Sequence, residues 1–205
     1  MSERPACALR QRQEPALNAQ AKSDHVVIDA WRIRVLFSEE AIARRNRELA
    51  AEIVKSAPRN LLVIAILRGS FIFAADLVRQ LHEAGLAPSI EFMQLASYHS
   101  GTVSSGQVTV VKDIDNKVDD RDVLLIDDIL ESGRTLAFAK DLLIARGARR
   151  VLTAVLVEKP MKRVVQFEAD FVGFDAPDLF LVGYGMDVAH QLRQLPFIGV
   201  VEGEA

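Results

Sequence analysis

The residues best suited to chemistry lie close together: Asp127, Asp128, Glu131, Ser132, Gly133, Arg134 and Thr135. Two adjacent carboxylates are acceptors that suit vicinal hydroxyls or a hydrated divalent cation, and they repel a bare phosphate. The small polar run that follows offers the reverse. Free backbone N–H groups and hydroxyls at a helix start, with the positive end of the helix dipole, attract a phosphate. A ligand that satisfies both halves carries a phosphate at one end and a diol beside it, as a ribose 5-phosphate unit does. One acid after a strand would be read as the start of a solvated loop. Two acids followed by Glu, Ser, Gly and Thr in this order carry the functional reading. The chain has no Gly-x-x-x-x-Gly-Lys-Ser/Thr and no Gly-x-Gly-x-x-Gly, which argues against a P-loop and a dinucleotide site.

The elements around these residues follow from the apolar pattern. Val123 to Ile126 is an uninterrupted apolar run, expected as a strand buried on both faces that Asp127 and Asp128 end. Glu131 to Gly133 is turn chemistry, and from Thr135 to Arg146 the period becomes helical, with Gly147 as the stop. Leu61 to Leu67 is the strongest buried-strand signal and runs into Arg68, Gly69 and Ser70, then into a helical stretch through Leu81 that ends near Gly85. This second strand–loop–helix junction adds a cation and can hold a second phosphate group. Further strands are expected at Val26–Ile28, Ile33–Phe37, Ile90–Ala96, Val108–Val111, Val151–Val157, Ala169–Phe174 and Leu179–Gly185. Ser38 with Glu39 and Glu40 starts a helix whose apolar stripe is Ile42, Leu49 and Ile53, closed off before Pro58. Strands and helices alternating from 61 to 157 predict an α/β fold with a doubly wound, mostly parallel sheet, its ligand at the carboxyl ends of the strands.

At 205 residues, half of them apolar, the chain suits a single domain with a real core. Residues 1–25 lack apolar periodicity and read as a flexible tail, leaving 26–205 as the domain. A net charge of −3 gives no support for nucleic acid or an anionic membrane as partner, so an anionic substrate needs locally placed cations or metal. The lone Cys7 excludes an internal disulfide framework. With no apolar stretch near membrane-spanning length and no signal-peptide core, a cytoplasmic location is expected.

The stretch from Asp122 through Leu136 resembles the signature of the type I phosphoribosyltransferases, which bind phosphoribosyl diphosphate, and the likeness extends over most of residues 26–205. Leu67 to Leu77 resembles the diphosphate loop of the purine-salvage branch. That implies roles for Arg68 and Gly69 and an unusual cis peptide between Leu67 and Arg68. Ser97 and Tyr98 match the pair on a mobile lid that keeps water from the reacting centre. Lys159 matches a lysine that hydrogen-bonds the exocyclic oxygen of a 6-oxopurine. Phe180 matches the aromatic that stacks on the base, and Leu181 the residue whose backbone meets its edge. Asp187 matches the acid that holds magnesium on the diphosphate, and Arg193 a diphosphate-binding arginine. The resemblance therefore implies transfer of a phosphoribosyl group to hypoxanthine or guanine, Mg2+ as cofactor, and a homodimer or homotetramer. It also implies a core of about 60–160 under a small hood built from 26–37 and 160–205.

Glu131 is the candidate base for the purine proton, at a position where many members of that family carry Asp. Without the resemblance Lys159 would simply reach solvent, Phe180 would be core, Asp187 a helix cap and Arg193 a surface charge. Two other classes fit parts of the pattern. A non-catalytic sensor of phosphoribosyl diphosphate would keep the fold without needing Lys159 and Phe180. A metal-dependent phosphohydrolase would use acids alone, and Asp113 and Asp115 have its Asp-x-Asp spacing but lack its hydroxyl residue. The four histidines, His25, His82, His99 and His190, have no setting that favours metal or catalysis over a surface role.

Overall fold

Why the sheet is buried on both faces is visible in β6, which spans Asp122–Leu130. Val123, Leu124, Leu125 and Ile126 are all fully buried. A strand points successive side chains to opposite faces. Leu124 and Ile126 accordingly join the core with Leu49, Ile53, Phe73 and Leu77, while Val123 and Leu125 pack with Leu136, Ala139 and Leu143. One face is therefore covered by α1 (Glu39–Lys55) and α2 (Phe71–Glu83), and the other by α3 (Arg134–Ala145).

The computed structural model describes residues 25–28, 31–97 and 108–204. Its main sheet comprises β3 (Leu62–Leu67), β4 (Ser89–Ser97), β5 (Val108–Lys112), β6, β7 (Arg150–Glu158) and β8 (Phe171–Asp175). Their order is β5-β4-β3-β6-β7-β8, with β5 antiparallel to β4 and every other pairing parallel. Ser38 caps α1 as its sequence demands, its Oγ accepting from Ala41 N at 3.3 Å. A second, antiparallel sheet forms a hood in the order β1-β2-β10-β9, from β1 (His25–Ile28), β2 (Trp31–Phe37), β9 (Leu181–Val182) and β10 (Ile198–Glu204). Ile33, Val182, Leu192 and Leu195 give the hood its own small core.

Three features depart from the sequence pattern. The strand expected at Leu179–Gly185 shrinks to Leu181–Val182, because the left-handed Gly183, Tyr184 and Gly185 turn the chain away. Asp127 and Asp128 do not end their strand, since β6 runs past them to Leu130. Its pairing with β3 stops at Ala65 and Ile126, whereas β7 continues alongside it as far as Leu130 and Glu158. The acids thus sit on an overhang, held on one edge only, where the sheet opens. The strand β10 has no clear sequence signal, because Gly199 and Gly203 interrupt it at register shifts. Gly199 is there for closeness: a Cβ would fall 2.4 Å from Ile33 Cγ2.

Candidate active site

A cavity of about 540 Å³ lies at the carboxyl end of the sheet. Arg68, Gly69, Asp127, Asp128, Glu131, Thr135, Lys159, Phe180, Leu181, Asp187 and Arg193 line it. These come from five separate parts of the chain. Ser132, Gly133 and Arg134 stand in the same loop as Glu131 and Thr135. Ser97 is the last residue of β4, and Tyr98 with the rest of the expected lid lies outside the described residues.

The loop leading into α3 is held from behind. Val164 N and Val165 N both donate to Ser132 O at 3.0 Å, and Arg163 Nη1 donates to Glu131 O at 2.6 Å. Gly133 starts the helix at a φ of 82°. That left-handed turn is natural for glycine, and a Cβ here would press on Phe167 Cβ and Val165 O, each at 3.1 Å. Ser132 Oγ accepts from Arg134 N at 3.3 Å. The amides of Ser132, Gly133 and Thr135 have no protein acceptor among the described residues. Such a turn is built to receive an anion.

Facing it, Asp127 is buried and Asp128 partly so. Burial, and then the neighbouring Asp128 charge, push Asp127 well above the usual carboxylate range. Burial also raises Asp128. The nearby Arg193 charge opposes that rise at Asp128. The second loop, Arg68 to Ser70, begins with a cis peptide between Leu67 and Arg68, as the resemblance implies. Ser70 Oγ donates to Ile66 O at 2.5 Å and closes the turn. Gly69 is wedged against the acids, for a Cβ there would lie 1.6 Å from Asp128 Oδ2.

Lys159 does not reach solvent. It is 4% exposed, and its Nζ donates to Glu131 Oε1 at 2.6 Å. Phe180 is 59% exposed at the cavity mouth rather than in the core. No helix follows Asp187; its Oδ2 accepts from His190 N at 2.7 Å and its Oδ1 pairs with Arg193 Nη2 at 2.6 Å. Arg193 Nη1 donates to Gly185 O at 2.7 Å, so Arg193 is no loose surface charge. Asp113, by contrast, grips both terminal nitrogens of Arg146 at 2.8 and 2.5 Å. Asp113 therefore serves an ion pair that ties the segment after β5 to the end of α3. His190 is exposed, and its ring lies 3.7 Å from Asp187.

The cavity also contains Gln94, Leu95, Ile129 and Met186, which sequence reasoning passed over. A polar residue near the end of an apolar strand was the available signal for Gln94. Ile129 becomes visible only once β6 is seen to continue beyond Asp127.

Comparison with known proteins agrees with this geometry. A family model described as the phosphoribosyl transferase domain matches residues 35–189. The chain is 41% identical over 170 residues to a hypoxanthine-guanine phosphoribosyltransferase of Streptococcus mutans, covering 82% of this chain and 93% of that protein. Among solved structures it is similar to a hypoxanthine phosphoribosyltransferase from Staphylococcus aureus, with 39% identity and a TM-score of 0.77 over 82% of this chain and 90% of that one. It is also similar to a ternary substrates complex of the Trypanosoma cruzi hypoxanthine phosphoribosyltransferase, with 35% identity and a TM-score of 0.77 over 82% and 94% of the two chains.

Proposed function

This chain belongs to the phosphoribosyltransferase family, and from that premise we propose that it salvages purines by joining hypoxanthine or guanine to phosphoribosyl diphosphate. The products are the nucleoside monophosphate and diphosphate. One observation carries the reading beyond the family: the buried ammonium of Lys159 and the exposed ring of Phe180 share a cavity with the acid pair and the anion-receiving turn. A sensor of phosphoribosyl diphosphate has no use for a donor and a flat apolar face placed to receive a base.

Each group then has a task. The turn from Glu131 to Thr135 takes the 5′-phosphate on the amides of Ser132, Gly133 and Thr135 and on its hydroxyls. Asp127 and Asp128 accept from the ribose hydroxyls. Phe180 stacks on the purine, the Leu181 backbone meets its edge, and Lys159 turns from Glu131 to donate to the 6-oxo group. That turn frees the Glu131 carboxylate. As the bond from C1′ to the diphosphate oxygen breaks, positive charge grows on the ribose and N9 forms the new bond. The proton released by the base passes to Glu131. Arg68, the Gly69 backbone and Arg193 receive the departing negative charge, while Ser97 and Tyr98 belong to a lid that shuts out water.

Magnesium fits the donors present, because Asp187, Asp127 and Asp128 offer only hard oxygen. Among the described residues no group of three His, Cys, Asp or Glu side chains forms a cage for a metal. Asp187 would hold the ion in this reading. When bound, it supplies charge neutralisation of the leaving group.

Residues 26–205 act as one unit in this reading, with the hood drawn from 26–37 and 160–205. A homodimer or homotetramer is supported by Ile90 and Phe92, 46% and 41% exposed on β4, beside a groove in which Val78, Leu86 and Pro88 are flanked by Arg79, His82 and Glu83. Sedimentation measures that assembly directly. With a single cysteine in the chain, a cytoplasmic setting completes the reading. The test is a spectrophotometric assay of hypoxanthine, guanine and xanthine, each with phosphoribosyl diphosphate and Mg2+. Nucleotide formation that requires both substrates is the expected result. Release of inorganic phosphate without any base would overturn the proposal.

A further inference from the structure

The hood segment that carries Asp187 and Arg193 is conformationally costly. Tyr184, Ala189, His190 and Leu192 all have left-handed backbones, with φ of 49°, 47°, 66° and 70°. Side chains other than glycine avoid that region, and such residues persist where their surroundings over-determine them. Part of the holding is local. Tyr184 N donates to Leu195 O and Gly185 N to Arg193 O, each at 2.9 Å.

The rest comes through one side chain. Tyr184 is 5% exposed, and its hydroxyl donates to Asp76 Oδ2 at 2.6 Å while accepting from Asn46 Nδ2 at 2.9 Å. Asn46 lies on α1, and Asp76 lies on α2, the helix that begins directly after the Arg68–Ser70 loop. The next residue after the tyrosine closes the circuit. A Cβ on Gly185 would fall 2.0 Å from Gly69 O, so the two backbones pack directly on one another. The Gly185 carbonyl takes Arg193 Nη1, and the other end of that guanidinium holds Asp187.

Core packing alone does not call for this arrangement. Asn46 is buried with its Oδ1 unpartnered among the described residues, a poor choice where stability is the only demand. Burial and the Asp76 carboxylate push the Tyr184 phenol upward, which keeps it a neutral donor across the working range.

We propose that Tyr184 is a positioning residue that sets the spacing between the hood pair Asp187–Arg193 and the Arg68–Gly69 loop, and so governs affinity for the diphosphate rather than for the base. The inference rests on the reading of that half of the cavity as the diphosphate site. Tyr184→Phe keeps the ring and removes the hydroxyl. The expected result is a rise of about tenfold in KM for phosphoribosyl diphosphate, the size of one lost hydrogen bond between fixed groups. Calorimetric Kd for magnesium diphosphate should rise in step, with KM for hypoxanthine within twofold of wild type. Asp76→Ala removes the other end of the same bond, and serves alone if the tyrosine variant folds poorly. It should reproduce the split, and the double variant should be no worse than either single one. Equal rises in both KM values, unmoved constants with a lowered Tm, or additive effects would each overturn the inference while leaving the function standing. A wild-type protein without purine-dependent release of diphosphate would overturn both.

Discussion

Glu131→Gln separates the chemistry from the binding most cleanly. In the free protein Glu131 is the counter-ion of Lys159, with 2.6 Å between Nζ and Oε1. The lysine side chain is 5% exposed and the glutamate side chain 42%. Removing one partner of a fully buried pair costs about 3–5 kcal/mol. Here glutamine still offers an oxygen acceptor and one side faces water, so a stability loss of about 1–2 kcal/mol is expected. The kinetic loss should be larger. A positioned general base contributes about 10²–10⁴ in rate, equal to about 3–5 kcal/mol of barrier. The variant should therefore turn over at least about a hundredfold more slowly, and KM for phosphoribosyl diphosphate should stay within about threefold, since the anion-receiving turn keeps its amides. Lys159 without its carboxylate is freer to meet the 6-oxo group, so KM for the purine should stay level or fall. Steady-state nucleotide formation read by absorbance, with denaturant unfolding of the same preparations, measures all three. A kcat within threefold of wild type would refute the assignment of the base.

Other perturbations test other parts. Gly69→Ala places a Cβ where Asp128 Oδ2 now lies, at 1.6 Å, and Gly185 blocks retreat of the loop; activity should fall at least about a hundredfold at a stability cost of about 1–3 kcal/mol. Normal activity in that variant would show the wedge to be unimportant. Burial and the neighbouring Asp128 charge raise the Asp127 carboxyl in the folded protein above its value in the unfolded chain. Its stabilising contribution is full below the ordinary carboxylate pKa of about 3.9 and is lost as pH rises through the higher folded-state value. Asp127→Asn should therefore gain thermal stability over wild type at pH 8 and lose that advantage towards acid pH; a difference independent of pH would sink the argument. At the opposite end of β6, Asp122 is fully buried and accepts from Arg59 N, Arg149 Nη2 and Arg150 Nη2 at 2.9, 2.5 and 2.8 Å. Burial alone would raise this acid, but those donors outweigh it and lower its pKa, so its contribution is present above the ordinary carboxylate range and lost as pH falls through the lowered value. Asp122→Ala should cost about 3 kcal/mol in denaturant unfolding, the low end for a broken buried pair because both arginines are partly exposed, and leave kcat of the folded enzyme unchanged.

Local pattern alone established much of this protein. The apolar runs at 61–67, 123–126 and 151–157 supply core strands, because only a strand covered on both faces makes such a run tolerable. Ser38 begins α1, and the order of acids, glutamate, serine, glycine and threonine from Asp127 to Thr135 marks the junction into α3 that lines the cavity. These features depend on neighbours a few positions away, which is what a sequence displays. Tertiary structure decided the rest. β6 runs past its acids because β7, which comes later in the chain, pairs with it as far as Leu130, although β3 has already ended. Lys159 is buried with its ammonium on Glu131, which stands beside it where the paired strands β6 and β7 end. Gly185 must be glycine because Gly69 comes against it from another layer, and β10 exists because β2 offers an edge near the other end of the chain. Contacts of that kind arise between segments that fold together in space, so no periodicity in either segment announces them.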